Sequence, residues 1–234
     1  MTRDSPEYFY ERIAERFEGL DHPGDVRRRL GVVFDDCLGP GLAGLSTLAG
    51  LRALDAGCGY GAFSSAAAER GATVISVDIG ERLVARACAR TGGWGVVADV
   101  CRLALRDRSV DVVISSEMLE HADAPERAIG ELARVLRTDG LLVLTTPNRV
   151  WQGAVRAASR LGLRPFRGLE NFVAWRRLEQ WCAAADLEVL LHIGFNPWPF
   201  HLGLARAARA VERRLARGPL ARLMVNQAIV ARRC

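Results

Sequence analysis

The sequence predicts a single α/β domain in which helices cover both faces of a mostly parallel β-sheet. Short apolar runs alternate with amphipathic segments along the chain, and such alternation is typical of parallel strands joined by crossover helices. A glycine-rich turn follows the first predicted strand, and acidic residues follow the next two. The 234 residues fit one domain with a cap or an insertion.

The elements are predicted in chain order from apolar periodicity and from residues that start or stop helices. A helix over residues 5–18 has Pro6 in its first turn, and a second helix covers residues 24–38. The following segments alternate: strand "LRALD", helix "AFSSAAAER", strand "ATVISVD", helix "ERLVARACAR", strands "WGVVAD" and "SVDVVISS", helix "APERAIGELARVLR" and strand "LLVLTTPN". Gly71 ends one helix, and Asp139-Gly140 is predicted to turn the chain into the last of these strands.

The charge of the chain is unevenly distributed. All 32 basic residues are arginine, which excludes a Schiff-base lysine and the lysine of a phosphate-binding P-loop. Residues 1–150 carry a net charge of −4, and residues 151–234 carry +9. This basic final third favours an anionic membrane surface, an acidic protein or an anionic substrate, although solvated arginine faces explain it equally well. Nucleic acid is not an expected partner, because no surface aromatics are interleaved with the arginines.

The apolar segments and the cysteines indicate the cellular compartment and the kinds of metal site to expect. No apolar stretch approaches the ~18 residues of a membrane span, and the N-terminal segment lacks the apolar centre of a secretory signal. The six cysteines contain no Cys-x-x-Cys pair, so neither a zinc ribbon nor a thioredoxin-like site is indicated. We therefore expect reduced thiols, a cytoplasmic protein, and a monomer or homodimer.

Ionisable and small residues collect at the predicted strand ends. The first strand runs into "DAGCGYG", the second ends at Asp78, the third at Asp99 and the fourth at "SSE". Ligands of such sheets bind beyond the carboxyl ends of the strands. An acid 17 residues after Gly61 suits ribose hydroxyls, and one after the third strand suits an adenine amino group. Together they indicate an adenosine site.

The glycine turn has two interpretations. Gly57, Gly59 and Ala62 can be aligned with the dinucleotide pattern G-x-G-x-x-G/A. However, Asp55 precedes the first glycine by two residues, where it can pair with a cationic amino acid rather than a pyrophosphate, and Gly61 extends the pattern to D-x-G-x-G-x-G. Each acid also has a structural alternative: Asp78 and Asp99 can cap the segments that follow them, and Asp55 can order the loop.

Five segments carry a resemblance to a known family. "LDAGCGYG", "VISVD", "VVAD", "DVVISSEMLEH" and "ARVLRTDGLLVLTTPN" follow one another within residues 50–148. They resemble the successive motifs of class I S-adenosylmethionine-dependent methyltransferases. "SEMLEH", "TTPN" and "IGFNPWP" are further similar to the O-methyltransferases of ubiquinone biosynthesis, which act on ring hydroxyls of a catechol-like precursor. The resemblance implies a Rossmann-like methyltransferase fold of about seven strands, the last antiparallel, with a helical lid.

The resemblance also implies the cofactor, its contacts and the division of the chain. The cofactor is S-adenosyl-L-methionine, and an arginine in an Arg-Leu-Gly context holds its carboxylate, which corresponds to Arg29 in "RRRLG". The other expected contacts are Asp55, Gly57, Cys58, Gly59, Gly61, Asp78, Ile79, Asp99, Val100 and Ser116. The predicted segments are an N-terminal helical cap (1–40), a cofactor-binding core (41–148), a lid (149–172) and a C-terminal part of the sheet with acceptor-facing helices (173–234).

Glu117, Glu120 and His121 are the predicted catalytic residues. They share one face if the chain turns helically after the fourth strand. In some members of the similar family these positions are assigned to a divalent cation, and the set suits Mg²⁺, Mn²⁺ or Zn²⁺, which would lower the pKa of an acceptor hydroxyl. The alternatives are that His121 acts as a general base without metal, or that the trio is structural.

The expected reaction is methyl transfer to a hydroxyl of a small phenolic, quinoid or other natural-product acceptor. The alternatives are N- or C-methylation on the same core, a non-catalytic protein that binds the cofactor, and, more distantly, an NAD-dependent oxidoreductase. The acceptor-facing segments diverge from the similar family and do not identify the acceptor. His192 and His201 are interpreted as core or surface histidines, with a place in the acceptor pocket as the alternative, and Trp175 and Trp181 as core residues of a helix.

Overall fold

Seven strands form one sheet in the computed structural model, which describes residues 22–39, 47–161, 171–199 and 204–234. The strands are β1 (Arg52–Ala56), β2 (Thr73–Asp78), β3 (Trp94–Val97), β4 (Val110–Ser116), β5 (Leu136–Pro147), β6 (Leu187–Phe195) and β7 (Asn226–Arg233). Their order across the sheet is β3-β2-β1-β4-β5-β7-β6. Among these strands, β7 runs in the direction opposite to that of the other six. The predicted mostly parallel sheet with an antiparallel last strand is confirmed.

Helices lie on both faces of this sheet. They are α1 (Pro23–Gly31), which continues as a π-helical segment (Val32–Cys37), α2 (Ala62–Glu69), α3 (Glu81–Thr91), α4 (Pro125–Val135), α5 (Gln152–Arg160), α6 (Trp175–Ala184) and α7 (Ala205–Leu215). Short 3₁₀ turns cover Leu119–His121, Arg149–Trp151 and Pro219–Leu223. Pro125 opens α4 at a position where its missing N–H costs nothing, and the apolar residues of α4 recur at helical spacing and are buried.

Two apolar clusters hold the helices to the sheet. Val113 of β4 faces α4 and α6, where it joins the cluster that contains Leu132 and Leu178. Its neighbour Val112 faces the other side and joins the cluster that contains Phe63 of α2. Successive side chains of a strand point to opposite faces, so a strand covered on both sides is apolar on both faces, which explains the consecutive buried apolar residues 112–114 of β4.

Two predicted boundaries were wrong. The chain passes from α4 into β5 at Leu136 without the predicted turn at Asp139-Gly140. Leu136 already pairs with Val110 of β4. The pairing of β4 with β5 then shifts register between Val110 and Val112, and Asp139 in β5 has a left-handed backbone with φ of 63°. β3 ends at Val97 rather than at Asp99.

The division of the chain into cap, core, lid and C-terminal part stays a prediction. The helix predicted over residues 5–18, part of the lid (162–170) and His201 lie outside the described residues. None of the helices in the described ranges has both the length and the apolar character needed to cross a bilayer. The expected contacts with an anionic membrane surface and with a second copy of the chain also stay predictions.

Candidate active site

The glycine turn after β1 adopts a backbone that requires glycine. Gly57 and Gly61 have φ values of 78° and 87°, in the left-handed region. A Cβ at Gly61 would lie 2.7 Å from the Cα of Ala87 in α3, and one at Gly57 would lie 2.3 Å from Cγ of Met118. The backbone of the turn therefore packs directly against α3 and against the segment that follows β4. The segments that follow β1, β2 and β4 thus meet at one edge of the sheet.

Asp78 at the end of β2 is tied to this turn. Its Oδ2 accepts a hydrogen bond from the backbone N–H of Gly59 at 2.9 Å, and its Oδ1 accepts one from Gly80 at 3.0 Å. Each carboxylate oxygen can accept more than one hydrogen bond, so these two contacts do not prevent the carboxylate from also accepting from a diol. The carboxylate thus orders the turn and also suits the two hydroxyls of a ribose.

Asp55 is directed away from the turn and into the protein. Its carboxyl is 2% exposed and accepts a hydrogen bond from Ser64 Oγ of α2 at 2.5 Å, and Ser64 in turn contacts Ser76 Oγ at 2.8 Å. Burial is the main cause that raises the pKa of Asp55 from 3.8 to about 7; the hydrogen bonds from Ser64 oppose this rise, and the carboxylate of Asp78 adds to it. This geometry favours the loop-ordering role, and the contact with a cationic amino acid stays a prediction.

The raised pKa of Asp55 predicts a loss of stability with rising pH. The unfolded chain releases this proton near pH 3.8 and the folded chain only near pH 7. Ionisation therefore costs the folded state free energy, on the order of a few kcal/mol, as the pH rises through this window. Denaturant titrations between pH 4.5 and 8 should show a shallower decline for Asp55→Asn than for the unchanged protein.

Asp35→Asn is the matched control for this titration, because it makes the same Asp-to-Asn change at a side chain that is 75% exposed. We expect it to keep the original slope. Equal slopes for Asp55→Asn and the unchanged protein would contradict the assignment of the decline to Asp55.

The remaining adenosine-side candidates lie where the strands end. Asp99 is exposed, and its Oδ1 accepts a hydrogen bond from the Cys101 N–H at 2.8 Å, so it does cap the segment after β3. Val100 is buried and Ile79 is half-buried. Cys58 lies inside the turn, where burial raises the pKa of its thiol far above the usual value and disfavours the reactive thiolate.

Arg29 reaches this edge from α1. It is 5% exposed, and its Nη1 donates to Ser116 Oγ at the end of β4 over 3.5 Å. Its Nε donates to Asp25 Oδ2 at 3.0 Å, and its guanidinium lies 6.0 Å from the ring centroid of Phe63. The structure therefore places Arg29 at the carboxyl end of β4, the strand next to the one that leads into the glycine turn. Its contact with the methionine carboxylate stays a prediction.

Glu117 occupies an unusual position directly after β4. Its backbone is left-handed, with φ of 53°, and its N–H donates to the Thr145 carbonyl at 2.9 Å. Its Oε2 accepts a hydrogen bond from Asn226 Nδ2 at 2.9 Å, whereas its buried Oε1 has no hydrogen-bond partner among the described residues. Burial, followed by repulsion from Glu120, raises the pKa of Glu117 well above its usual value. Both effects disfavour the charged form of this carboxyl.

Glu120 and His121 form a pair in the 3₁₀ turn. Glu120 is 2% exposed, and its Oε2 accepts a hydrogen bond from Thr146 Oγ1 at 3.0 Å. Its other oxygen lies 3.9 Å from His121 Nε2. The His121 side chain is 22% exposed, so it can meet a ligand that enters from solvent, beside the buried carboxyl of Glu120.

The predicted divalent cation does not fit these three residues. Glu117 turns toward Asn226 of β7, and Glu120 turns toward Thr146 of β5. Among the described residues, no group of three or more His, Cys, Asp or Glu side chains is arranged to hold a metal ion. The predicted common face fails because Glu117 has a left-handed backbone and lies outside the short helical turn, which begins only at Leu119.

Several polar residues of this region carry no signal in the sequence. Asn226 begins β7 and joins Glu117 to Asn196, which follows β6 and has φ of 53°. Asp25 joins Asn196 to Arg29. Each of these contacts crosses a long stretch of chain, except that of Asp25 with Arg29, whose i, i+4 spacing in α1 was visible.

His192 is a packed residue rather than part of this edge. Its ring stacks on Trp175 with centroids 3.5 Å apart, and its nitrogens contact Glu179 Oε1 at 3.0 Å and Gln227 Oε1 at 3.1 Å. Burial lowers its pKa. The interpretation as a core histidine is supported, and Trp175 and Trp181 lie in α6 as predicted, although both are only half-buried.

A family model and the sequence relatives both describe methyltransferases. Residues 54–144 match a family described as a methyltransferase domain. The ubiquinone biosynthesis O-methyltransferase of Pseudomonas aeruginosa (strain LESB58) is 35% identical over 173 residues, which cover 68% of this chain and 74% of that protein. The protein of the same name from Methylococcus capsulatus is 31% identical, with coverage of 67% and 73%.

Solved structures share the fold at lower identity. An S-adenosylmethionine-dependent methyltransferase from Thermotoga maritima is similar with a TM-score of 0.68 and 19% identity, covering 97% of this chain and 99% of that one. The geranyl diphosphate C-methyltransferase of Streptomyces coelicolor A3(2) is similar with a TM-score of 0.65 and 14% identity over the full length of both chains. At these identities the likeness concerns the fold alone.

Proposed function

Because the chain belongs to the class I S-adenosylmethionine-dependent methyltransferases, we propose that it methylates a hydroxyl group of a small phenolic or quinoid acceptor. The family supplies the cofactor and the reaction type. The names of the sequence relatives support oxygen as the target atom. The pairing of a buried glutamate with a partly exposed histidine supports it independently, since a hydroxyl must lose its proton.

The edge formed by β1, β2 and β4 would hold the cofactor. Asp78 would accept hydrogen bonds from the ribose hydroxyls, and the glycine turn lets the backbone approach because no side chain stands in the way. Asp99 and Val100 would lie at the adenine, and Arg29 would pair with the methionine carboxylate, for which its planar fork is suited. When bound, S-adenosylmethionine supplies a methyl group activated by a positively charged sulfur.

The single observation that carries the proposal is the geometry of Glu120 and His121. His121 would take the hydroxyl proton through an imidazole that is accessible from solvent, and Glu120, 3.9 Å away, would stabilise the imidazolium that forms. Thr146 anchors Glu120 through its other oxygen, which fixes the pair against β5. Glu117 would offer its open Oε1 to the acceptor as a hydrogen-bonding group. No step requires a metal ion.

His121→Asn is expected to lower kcat about a hundredfold with catechol or hydroquinone acceptors, because general base catalysis is worth about that much. Affinity for S-adenosylhomocysteine, the demethylated product, should stay within about twofold, since His121 is not assigned to the cofactor. Mass spectrometry of the methylated products gives the rate, and calorimetry gives the affinity.

Three controls separate the alternatives. Enzyme treated with EDTA should keep its activity, and recovery only after added Mg²⁺ would contradict the metal-free mechanism. A panel that includes amine and carbon acceptors identifies the target atom, and turnover only with those would contradict O-methylation. Tight binding of S-adenosylhomocysteine without turnover of any acceptor would indicate a non-catalytic protein.

A further inference from the structure

A continuous path of hydrogen bonds joins Arg29 to Glu117. Asp25 Oδ2 accepts from Arg29 Nε at 3.0 Å, and Asp25 Oδ1 accepts from Asn196 Nδ2 at 3.2 Å. The same Nδ2 donates to Asn226 Oδ1 at 3.1 Å, and Asn226 Nδ2 donates to Glu117 Oε2 at 2.9 Å. The path therefore runs from α1, through the segment after β6 and the start of β7, to the end of β4.

The middle of this path is rigidly held. Asn196 is 6% exposed and Asn226 is 8% exposed. Asn196 is fixed from a second direction, because its backbone N–H donates to Glu212 Oε1 of α7 at 2.7 Å, and Glu212 is paired with Arg28 at 2.8 Å. Both Asn196 and Glu117 adopt a left-handed backbone with φ of 53°. Strained residues persist where the surroundings fix them, and they concentrate at functional sites.

Asp25 acts on Arg29 through one specific atom. A guanidinium presents its donors in a planar fork, so a carboxylate bound at Nε sets the plane of the whole group. In Arg29 this leaves the Nη1 edge directed at Ser116, on the side of β4 where the glycine turn lies. Without Asp25, the Arg29 side chain would lose the contact at Nε that sets this plane, and ligand binding would bear part of the cost of ordering it.

A second carboxylate beside the ligand also has an opposing effect. The negative charge of Asp25 would repel the methionine carboxylate that Arg29 is proposed to hold. The side chain of Asp25 is 27% exposed, whereas that of Arg29 is 6% exposed, so water screens the charge of Asp25 more than it screens the guanidinium. Asn196 also donates to Asp25. We therefore expect the ordering effect to exceed the repulsion.

We propose that Asp25 is a positioning residue for the cofactor, which orients Arg29 toward the methionine carboxylate, and that Asn196 fixes Asp25 for this role. The proposal rests on the proposed function, in which Arg29 binds that carboxylate. Asn226 extends the same path to Glu117, so that the cofactor side and the acceptor side of the site share one hydrogen-bonded support.

The test compares two ligands that differ only in the part Arg29 would contact. S-adenosylhomocysteine carries the amino acid, and 5′-methylthioadenosine keeps the adenosine and the sulfur but lacks it. By calorimetry, Asp25→Asn should weaken S-adenosylhomocysteine about tenfold, as expected for a charge-assisted contact that is lost or misplaced. Binding of 5′-methylthioadenosine should stay within about twofold, since its contacts do not involve Arg29.

Asp36→Asn is the matched control, because Asp36 pairs with the neighbouring Arg28 at 3.1 Å and the substitution removes the same charge from the same helical region. It should bind both ligands as the unchanged protein does. Asn196→Gly provides a second variant: glycine tolerates the left-handed backbone but removes the donor to Asp25. This variant should also weaken S-adenosylhomocysteine and not 5′-methylthioadenosine, by a smaller factor than Asp25→Asn. If Asp25→Asn does not fold, the comparison is made with Asn196→Gly alone.

Two results would overturn the positioning role. In one, both ligands weaken equally in Asp25→Asn, which indicates general damage to the site. In the other, S-adenosylhomocysteine binds with unchanged or higher affinity, which means that repulsion dominates. Failure of the unchanged protein to bind either ligand would instead overturn the proposed function, and the positioning role with it.

Discussion

Asp78→Asn is expected to weaken S-adenosylhomocysteine binding about a hundredfold, because two charge-assisted hydrogen bonds and the ribose contact are affected together. Asp78 accepts from Gly59 at 2.9 Å and from Gly80 at 3.0 Å. Asparagine has the same shape but only one accepting oxygen, so its NH₂ group would face one of these two N–H groups. The glycine turn would then shift at the same time as the diol loses a charged acceptor. Calorimetry with S-adenosylhomocysteine measures the effect.

The control for this variant is another acid of the same sheet that binds backbone. Asp111 in β4 accepts from the Arg52 N–H at 2.8 Å and from Arg137 Nη1 at 2.7 Å, at the opposite end of the strands. Asp111→Asn should lose some stability and keep its affinity for S-adenosylhomocysteine. If Asp78→Asn bound the ligand as well as Asp111→Asn does, the cofactor would not lie at the end of β2.

The parts of the fold that follow local rules were predictable from the sequence. Apolar runs such as "VDVVI" specify strands buried on both faces, and the carboxyl ends of parallel strands must meet at one edge. Asp78 and the glycine turn could therefore be placed together before their contact was known, and the structure joins them through the Gly59 N–H. Residues at the ends of different strands are far apart in sequence, but a parallel sheet brings them close together in space, so their positions in the sequence predict a shared site.

The parts of the site that depend on single backbone angles or distant contacts were not predictable. The metal hypothesis assumed that Glu117 continues a helical turn, but φ of 53° at that residue sends its side chain toward Asn226. The sequence around Asn226 and Asn196 does not indicate that the two residues are in contact. They meet because β7 lies between β5 and β6 in the sheet. Side chains that face one another across such an insertion are set by tertiary packing rather than by periodicity.

Gly61→Ala is expected to lower the free energy of unfolding by about 3 kcal/mol. Two costs add at this position. A left-handed backbone, here with φ of 87°, is unfavourable for alanine, and the new Cβ would lie 2.7 Å from the Cα of Ala87 and 2.9 Å from its Cβ. A backbone atom cannot rotate away, so α3 must move relative to the glycine turn.

Gly92→Ala separates these two costs. Gly92 also has a left-handed backbone, with φ of 63°, but a Cβ there would meet nothing within 4 Å. It should lose only the conformational part, about 1 kcal/mol, and bind S-adenosylhomocysteine normally, whereas Gly61→Ala should bind it at least about tenfold more weakly because the turn is displaced. Denaturant titration and calorimetry on both variants provide the comparison. If Gly61→Ala and Gly92→Ala lost equal stability, α3 would have to move at little cost to accommodate the new methyl group. Close packing against α3 would then not be what holds the turn in place.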